Sequence, residues 1–351
     1  MSTGRIRVVV VDDSAFARKV MREVLSADPR IDVVATARDG LDALEKIAET
    51  NPDVVTLDLV MPELDGVGVL EALRKMSAPP RVVVVTMSDA DSALGVAALQ
   101  SGAFDVVHKP TALATDRLYE LGEELVSKVV LASESPFGAH AIPNDAIPPF
   151  AQPGAAATPL RAKHASFLAI GASTGGPRAV TQLLRALPGD FPVPVAVVVH
   201  MPPGYTEAFA HRLDRECALH VVEATEGLEL VPGLAVVARA GIHLEVHRKG
   251  ASYTAHLNVQ PMEALHRPSV DALFETVARA AGNGALGVVL TGMGADGLIG
   301  ARRIHAAGGR LVVEAASTCV VYGMPRVVFE AGLADAALPL QDVARAIIAR
   351  L

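Results

Sequence analysis

The stretch RIRVVVVDDSAFARKVM, residues 5–21, sets the reading of the first third of the chain. Four valines in a row, Val8 to Val11, stop at a pair of carboxylates, Asp12 and Asp13, and apolar residues at helical spacing follow. A strand without polar alternation is covered on both faces, and a helix directly after it supplies one cover. The unit recurs. IDVVATA (31–37), PDVVTL (52–57), RVVVVT (81–86) and FDVVH (104–108) read as further strands. AFARKVMREVL (15–25), LDALEKIAE (41–49), GVLEALRKM (68–76) and ALGVAALQSG (93–102) repeat apolar residues at the helical period. Five βα units of this kind predict a doubly wound parallel sheet.

From Ser133 to Ala165 the pattern stops, and Pro136, Pro143, Pro148, Pro149, Pro153 and Pro159 are scattered among Ala, Ser and Gly. This stretch is expected to be a linker, able to span on the order of 30 Å if flexible. Beyond it FLAIGAS (167–173), VPVAVVVH (193–200), LAVVA (234–238) and ALGVVLTG (285–292) again read as buried strands ending in Gly- or Pro-rich turns. The expected organisation is an α/β protein with two doubly wound parallel-sheet domains. A flavodoxin-like domain would span 1–132, a linker 133–165, and a Rossmann-like three-layer domain 166–351.

Composition narrows the function classes. Of the 351 residues 51% are hydrophobic and 20% charged, as in folded proteins. Residues 1–130 carry 14 Lys/Arg against 21 Asp/Glu and the remainder 17 against 18, so neither part is built to hold a phosphate backbone, and no nucleic acid is expected as partner. The two cysteines, Cys217 and Cys319, lack the spacing of a disulfide framework or a zinc site. The first thirteen residues resemble neither a signal peptide nor a span, so a cytoplasmic protein without membrane insertion is expected.

The first five site residues stand at four strand ends. Asp12 and Asp13 close the first strand, Asp58 the third, Thr86 the fourth, and Lys109 follows His108 after the fifth. Open α/β sheets form their sites at the carboxyl ends of their strands. Three carboxylates brought together repel, and a hard divalent cation such as Mg²⁺, bound through oxygen, relieves the repulsion. The same constellation could accept a phosphoryl group on Asp58, with the cation and Lys109 offsetting its charge and the Thr86 hydroxyl bonding its oxygens. Against this stands the plainer alternative that each Asp caps a helix or ends a strand.

In the second half, FLAIG runs into Ala172-Ser173-Thr174-Gly175-Gly176-Pro177 and a helical run. Ser173 therefore sits at a strand-to-helix turn near backbone amides and the positive end of a helix dipole, a placement suited to an oxyanion. Dinucleotide sites begin in the same way. The next strand, however, ends in His200 where a dinucleotide site would carry an acidic residue for the ribose, and a base beside a serine suggests acyl chemistry. Asp296, in the turn after ALGVVLTG, is the candidate third member, holding the imidazole tautomer and stabilising its cation. His211, His220, His243, His247, His256, His266 and His305 compete, as do Asp214 and Asp271. Most of them lie on helical or polar stretches and read as solvated. Asp271, in HRPSVDALFETV, reads as a helix-start residue with Ser269 as N-cap.

VDDSAFARKVM, TLDLVMPELDG, VVVVTMS and HKP resemble the receiver domain of response regulators. The resemblance implies that Asp58 is the phospho-acceptor, that Asp12 and Asp13 serve a Mg²⁺ site, that Thr86 and Lys109 transmit the signal, and that a histidine kinase is the phosphate source. GASTGGP, VVVHMPPGYT, HRPSVDALF, LTGMGADG and VVYGMPR, from about Phe167 to the C-terminus, resemble the catalytic domain of the chemotaxis receptor methylesterases. That resemblance implies the triad Ser173, His200 and Asp296, with Thr174 and Met293 beside the reacting ester. It also implies hydrolysis of glutamate methyl esters on chemoreceptors without a metal, and deamidation of receptor glutamines. The chain departs from the family in reading Ala238 to His243 as ARAGIH and in carrying Thr86-Met87-Ser88 where a serine pair is common. The rival from another class is a receiver whose second domain binds a nucleotide or protein without catalysis.

Overall fold

The computed structural model describes residues 4–86, 92–109, 115–135, 165–262 and 264–351, with residues 115–121 described by their backbone alone. β1 (Ile6–Val11), β2 (Ile31–Ala37), β3 (Val54–Leu57), β4 (Arg81–Thr86) and β5 (Asp105–His108) form one sheet in the order β2-β1-β3-β4-β5, with every pairing parallel. Between and after them run α1 (Ala15–Ser26), α2 (Gly40–Thr50), α3 (Gly66–Leu73), α4 (Ser92–Gln100) and α5 (Thr115–Glu134). Ser14, Asp39 and Asp65 cap the first three helices by accepting the N–H groups of Ala17, Asp42 and Gly68. Val8 to Val11, Val54, Val55 and Val83 to Val85 are fully buried, as two-sided cover demands. Because β1 lies between β2 and β3, the strand order reverses there and a crevice opens at the ends of β1 and β3.

The last helix of this unit runs further than the composition indicates. The expected linker begins at Ser133, but α5 continues to Glu134, held by Leu125, Val129 and Ala132, each with no exposed surface. Residues 136–164 of the expected linker lie outside the described residues.

A second parallel sheet takes β6 (Phe167–Ala172), β7 (Val195–Val199), β8 (His220–Glu223), β10 (Leu234–Val237), β13 (Ala285–Val289), β14 (Arg310–Glu314) and β15 (Ala336–Leu338), in the order β15-β14-β13-β6-β7-β10-β8. Outside it stands a three-stranded antiparallel sheet of β9 (Glu229–Leu230), β11 (His243–Lys249) and β12 (Ser252–Asn258). This addition was not expected, because HLEVHRK and SYTAHLN carry polar residues on alternate positions and expose one face. α6 (Gly176–Arg185), α7 (Tyr205–Glu216), α8 (Val270–Ala281), α9 (Leu298–Ala306), α10 (Met324–Glu330) and α11 (Leu340–Ile348) complete the layers. The strand order reverses at β6, between β7 and β13.

The two units are packed together. α4 lies on α6 and α7, with Gly95 so close to the Tyr205 ring that a Cβ there would come within 2.2 Å of it. Gln100 donates to the Thr181 hydroxyl at 3.2 Å, and the Ser135 hydroxyl donates to the Val320 carbonyl at 3.1 Å. No described helix is long and apolar enough to cross a membrane.

Candidate active site and phosphorylation pocket

β6 and β7 run parallel with Ala172 opposite Val199, so the next residue of each strand, Ser173 and His200, emerges at the same edge of the sheet. The His200 N–H donates to the Ala172 carbonyl at 3.2 Å. After Ser173 the chain turns through Gly175, at φ 77°, into α6, with Pro177 in the first turn as expected. A Cβ on Gly175 would lie 2.6 Å from Val320, so glycine is required there by both space and backbone.

The loop after β13 comes against this turn from the other side. Its Thr291 carbonyl accepts the Ser173 N–H at 3.0 Å, and its hydroxyl donates to the Thr174 carbonyl at 3.0 Å. Gly292 allows the approach, since a Cβ there would lie 2.8 Å from the Ser173 Cβ. Four residues on stands Asp296, whose Oδ2 lies 2.8 Å from His200 Nε2. The nitrogen next to the carboxylate carries the proton, which leaves Nδ1 as the basic atom. Nδ1 is buried and has no hydrogen-bond partner.

Asp296 is itself held by the start of α8. Its Oδ1 accepts the Ser269 hydroxyl at 2.8 Å and the Asp271 N–H at 3.0 Å, and Oδ2 accepts the Val270 N–H at 2.8 Å. Burial alone would raise its pKa. The bonds from His200 and from the first two amides of the helix outweigh that and hold the carboxyl well below the usual range. Asp271 is the counterpart: burial, and then the Asp296 charge, push it up to about 6, against the Gly300 N–H that it accepts at 2.7 Å. Ser269 caps α8 as expected, but its hydroxyl also fixes Asp296, a link between two distant segments that local pattern does not reveal.

Thr174 and Met293, the residues expected beside the reacting group, flank the turn. Thr174 is buried, and its hydroxyl donates to Asp105 Oδ2 at 2.7 Å, at the start of β5 in the first unit. Met293 is half-exposed, with its sulfur 3.9 Å from the Ser127 hydroxyl of α5. The first unit therefore covers the rim of the cleft. Among the competing histidines, His211, His220, His247 and His305 are exposed and His256 is half-buried. His243 departs from the solvated expectation: it is fully buried, its Nδ1 accepts the Ser269 N–H at 3.1 Å, and burial lowers its pKa. His266 stacks on His200 with ring centroids 4.1 Å apart, and desolvation followed by the neighbouring imidazole lowers its pKa.

In the first crevice Asp12, Asp13 and Asp58 each place a carboxylate oxygen within 4.8 Å of the others. Asp12 and Asp58 are buried and Asp13 is exposed. Lys109 donates to Asp12 and, at 2.5 Å, to Asp58. Burial raises the Asp58 pKa, with Lys109 opposing it. Thr86 is fully buried at the end of β4. An all-oxygen donor set with one face open to solvent suits a small hard cation such as Mg²⁺.

A family model for the CheB methylesterase matches residues 168–347, and one for the response regulator receiver domain matches residues 8–120. The chain belongs to the CheB methylesterase family. A protein-glutamate methylesterase/protein-glutamine glutaminase of Myxococcus xanthus is 57% identical over 339 residues, covering 96% of each chain. One of Geobacillus kaustophilus is 42% identical over 346 residues, covering 98% of each. The CheB methylesterase catalytic domain of Thermotoga maritima, a crystal structure, is 37% identical with a TM-score of 0.52, covering 54% of this chain and 100% of that one. The receiver and methylesterase folds read from the motifs are those the family carries.

Proposed function

We propose that Ser173, His200 and Asp296 are the catalytic triad of this methylesterase and that Asp58 is the phosphorylated switch controlling it. As a CheB-type protein the chain is a phosphorylation-regulated methylesterase and glutaminase. The domain division that serves this reading is a receiver over 1–132, a linker over 133–165 and the hydrolase over 166–351.

One observation carries the triad: His200 gives Nε2 to a helix-anchored carboxylate while its buried Nδ1, free of any partner, stands at the strand edge that Ser173 shares. Nδ1 takes the Ser173 proton as Oγ attacks the γ-carbonyl of a glutamyl methyl ester. Asp296 stabilises the resulting imidazolium, and the tetrahedral oxyanion forms near the amides of the turn. His200 then returns the proton to the departing methoxide, and methanol leaves. Water, deprotonated by His200, cleaves the acyl-enzyme to give glutamate and restore Ser173. With glutamine as substrate, ammonia departs instead. Thr174 and Met293 border the acyl group. No metal takes part in this cycle.

In the receiver, Asp12, Asp13 and Asp58 would hold Mg²⁺, which when bound offsets the charge of the incoming phosphoryl group. Lys109 pairs with the phosphorylated Asp58, and Thr86 reports the change to α4, which packs on the hydrolase. The bond from Thr174 to Asp105 and the contact of Met293 with Ser127 support a resting state in which the receiver restrains the cleft. The partners are methylated chemoreceptors as substrate and a histidine kinase as phosphodonor, in the cytoplasm.

The test is methanol release from methylated receptor fragments, with and without a small phosphodonor and Mg²⁺. Stimulated release that disappears in Ser173→Ala and loses its stimulation in Asp58→Asn is the expected result. Undiminished release by Ser173→Ala would reject the triad.

A further inference from the structure

Beneath the nucleophile turn lies a carboxyl group to which the reaction above gives no task. Glu314, at the end of β14, has no exposed surface. Its Oε2 accepts the Thr291 N–H at 2.9 Å. Its Oε1 is buried without a hydrogen-bond partner. Thr291, whose N–H Glu314 holds, is the residue from which the turn hangs: its carbonyl takes the Ser173 N–H and its hydroxyl the Thr174 carbonyl. The Val321 N–H completes the set by donating to the Thr291 hydroxyl at 2.9 Å.

A carboxylate sealed from water, without a cation and with one oxygen unpaired, is costly to keep charged. Among the described residues Glu314 makes no ion pair. The titratable group that faces it is Cys319, whose thiol burial pushes far up, so it stays neutral. From the loop after β13 Glu314 meets the Thr291 peptide and from β15 it pairs with Leu338, neither of which titrates. Burial, opposed by the Thr291 N–H and then by the Thr318 hydroxyl and the Cys319 thiol, pushes Glu314 up to about 7. Its acid form still offers a carbonyl oxygen to Thr291. Its charged form sets a negative charge behind the turn on which the oxyanion develops.

We propose that Glu314, in its acid form, is a positioning residue for ester hydrolysis: it fixes the Thr291 peptide that suspends Ser173 and Thr174, and it keeps negative charge away from the developing oxyanion. The proposal rests on the Ser173 triad. It gives the hydrolase an alkaline limit of its own.

The experiment compares full-length wild type, Glu314→Gln, Glu314→Leu and Ser173→Ala, all with the phosphodonor and Mg²⁺, for methanol release from pH 6 to pH 9. Wild-type kcat should fall with unit slope above the Glu314 ionisation, about tenfold per pH unit. Glu314→Gln keeps the acceptor and cannot ionise, so its kcat should match the wild type at pH 6 and lack the alkaline fall. Glu314→Leu removes the acceptor and also cannot ionise, so its kcat should lie roughly tenfold below that of Glu314→Gln at every pH, with KM unchanged. Infrared difference spectra provide a second readout independent of turnover, and a protonated-carboxyl band present at pH 6 should be missing in Glu314→Gln. An alkaline fall in Glu314→Gln equal to that of the wild type, or no such band in the wild type, overturns the proposal. Release by Ser173→Ala equal to that of the wild type would instead reject the triad on which it rests.

Discussion

Replacing Asp296 by asparagine tests the centre of the site. Four donors converge on this carboxylate, two on each oxygen: His200 Nε2 and the Val270 N–H on Oδ2, the Ser269 hydroxyl and the Asp271 N–H on Oδ1. An amide has one acceptor oxygen, so one pair of donors must meet an N–H. If the amide nitrogen turns to His200, the imidazole is driven to the tautomer with its proton on Nδ1, and the base that Ser173 requires is gone. If it turns to Ser269, the hydroxyl can rotate to accept, but the Asp271 amide loses its partner. Either way at least one charge-assisted bond is lost, about 2 to 3 kcal/mol of stability. The wrong-tautomer arrangement lowers kcat by about 10⁴ in the triad of another serine hydrolase, and a loss between about 10³ and 10⁴ is expected here. Single-turnover methanol release measures the chemistry, and urea unfolding from pH 3 to pH 8 measures the stability. Asp296 has a depressed pKa in the folded chain, so its contribution is fully present above the ordinary carboxylate range and is lost progressively as pH falls below that range toward the lower folded value. The gap between variant and wild type should therefore close in acid. A variant that keeps more than about a tenth of the wild-type kcat refutes the tautomer argument.

Three further changes probe the surroundings. Gly292→Ala places a Cβ 2.8 Å from the Ser173 Cβ. It should cost about 1 to 3 kcal/mol in thermal unfolding and lower kcat about a hundredfold by displacing the nucleophile. Asp105→Ala frees the Thr174 hydroxyl, and release by the unphosphorylated chain should rise roughly tenfold, the size of one charge-assisted bond, while the phosphorylated rate holds. Equal basal rates would show that this bond does not restrain the site. Asp271 binds its proton more tightly in the folded chain than unfolded, so it favours the fold at low pH and that benefit is lost as pH rises through about 6. Asp271→Asn keeps an acceptor for the Gly300 N–H, and after discounting for solvent screening it should stabilise the chain by about 1 kcal/mol at pH 8 but not at pH 4, read by urea unfolding.

What could be read beforehand is what a chain writes locally. Val8 to Val11 and Val195 to Val199 are uninterrupted apolar runs, and the residue after such a run in a parallel sheet lies at its carboxyl edge; Asp12, Ser173 and His200 were placed by that rule alone. Strands β11 and β12 escaped it because charges alternate along them, and α5 ran past its expected end because Val129 and Ala132 bury against the first sheet. The support of the site was also hidden. Ser269 reads as an ordinary cap, no local motif marks Glu314, and His266 reads as one of several competing histidines. Each acquires its role from a partner more than twenty residues away: Asp296, Thr291 and His200. The signal that could have raised Glu314 is a carboxylate directly after the buried run Leu311 to Val313, in a sheet whose strands β6 and β7 lead straight into Ser173 and His200.

The nucleophile turn is held from two sides, and the two supports ask for different charge. Below, Glu314 faces the Thr291 peptide in a dry interior, where only a neutral acid is inexpensive. Above, Asp105 takes the Thr174 hydroxyl and is ion-paired to Lys128 at 3.3 Å. On the proposed reading this sets a carboxylate against the nucleophile turn, so the docked receiver would oppose the reaction electrostatically as well as by its contact with Met293. Converting such a chain from about 1% to 99% released requires about 5.5 kcal/mol of difference between the states. The Thr174–Asp105 bond supplies only a part of this, about 1.5 to 3 kcal/mol. The remainder has to come from the α4 contact with α6 and α7, where Gly95 seats the Tyr205 ring. On the proposed reading, phosphorylation at Asp58 would act through α4 to loosen the larger contact, and the Asp105 bond at the nucleophile turn would be released with it.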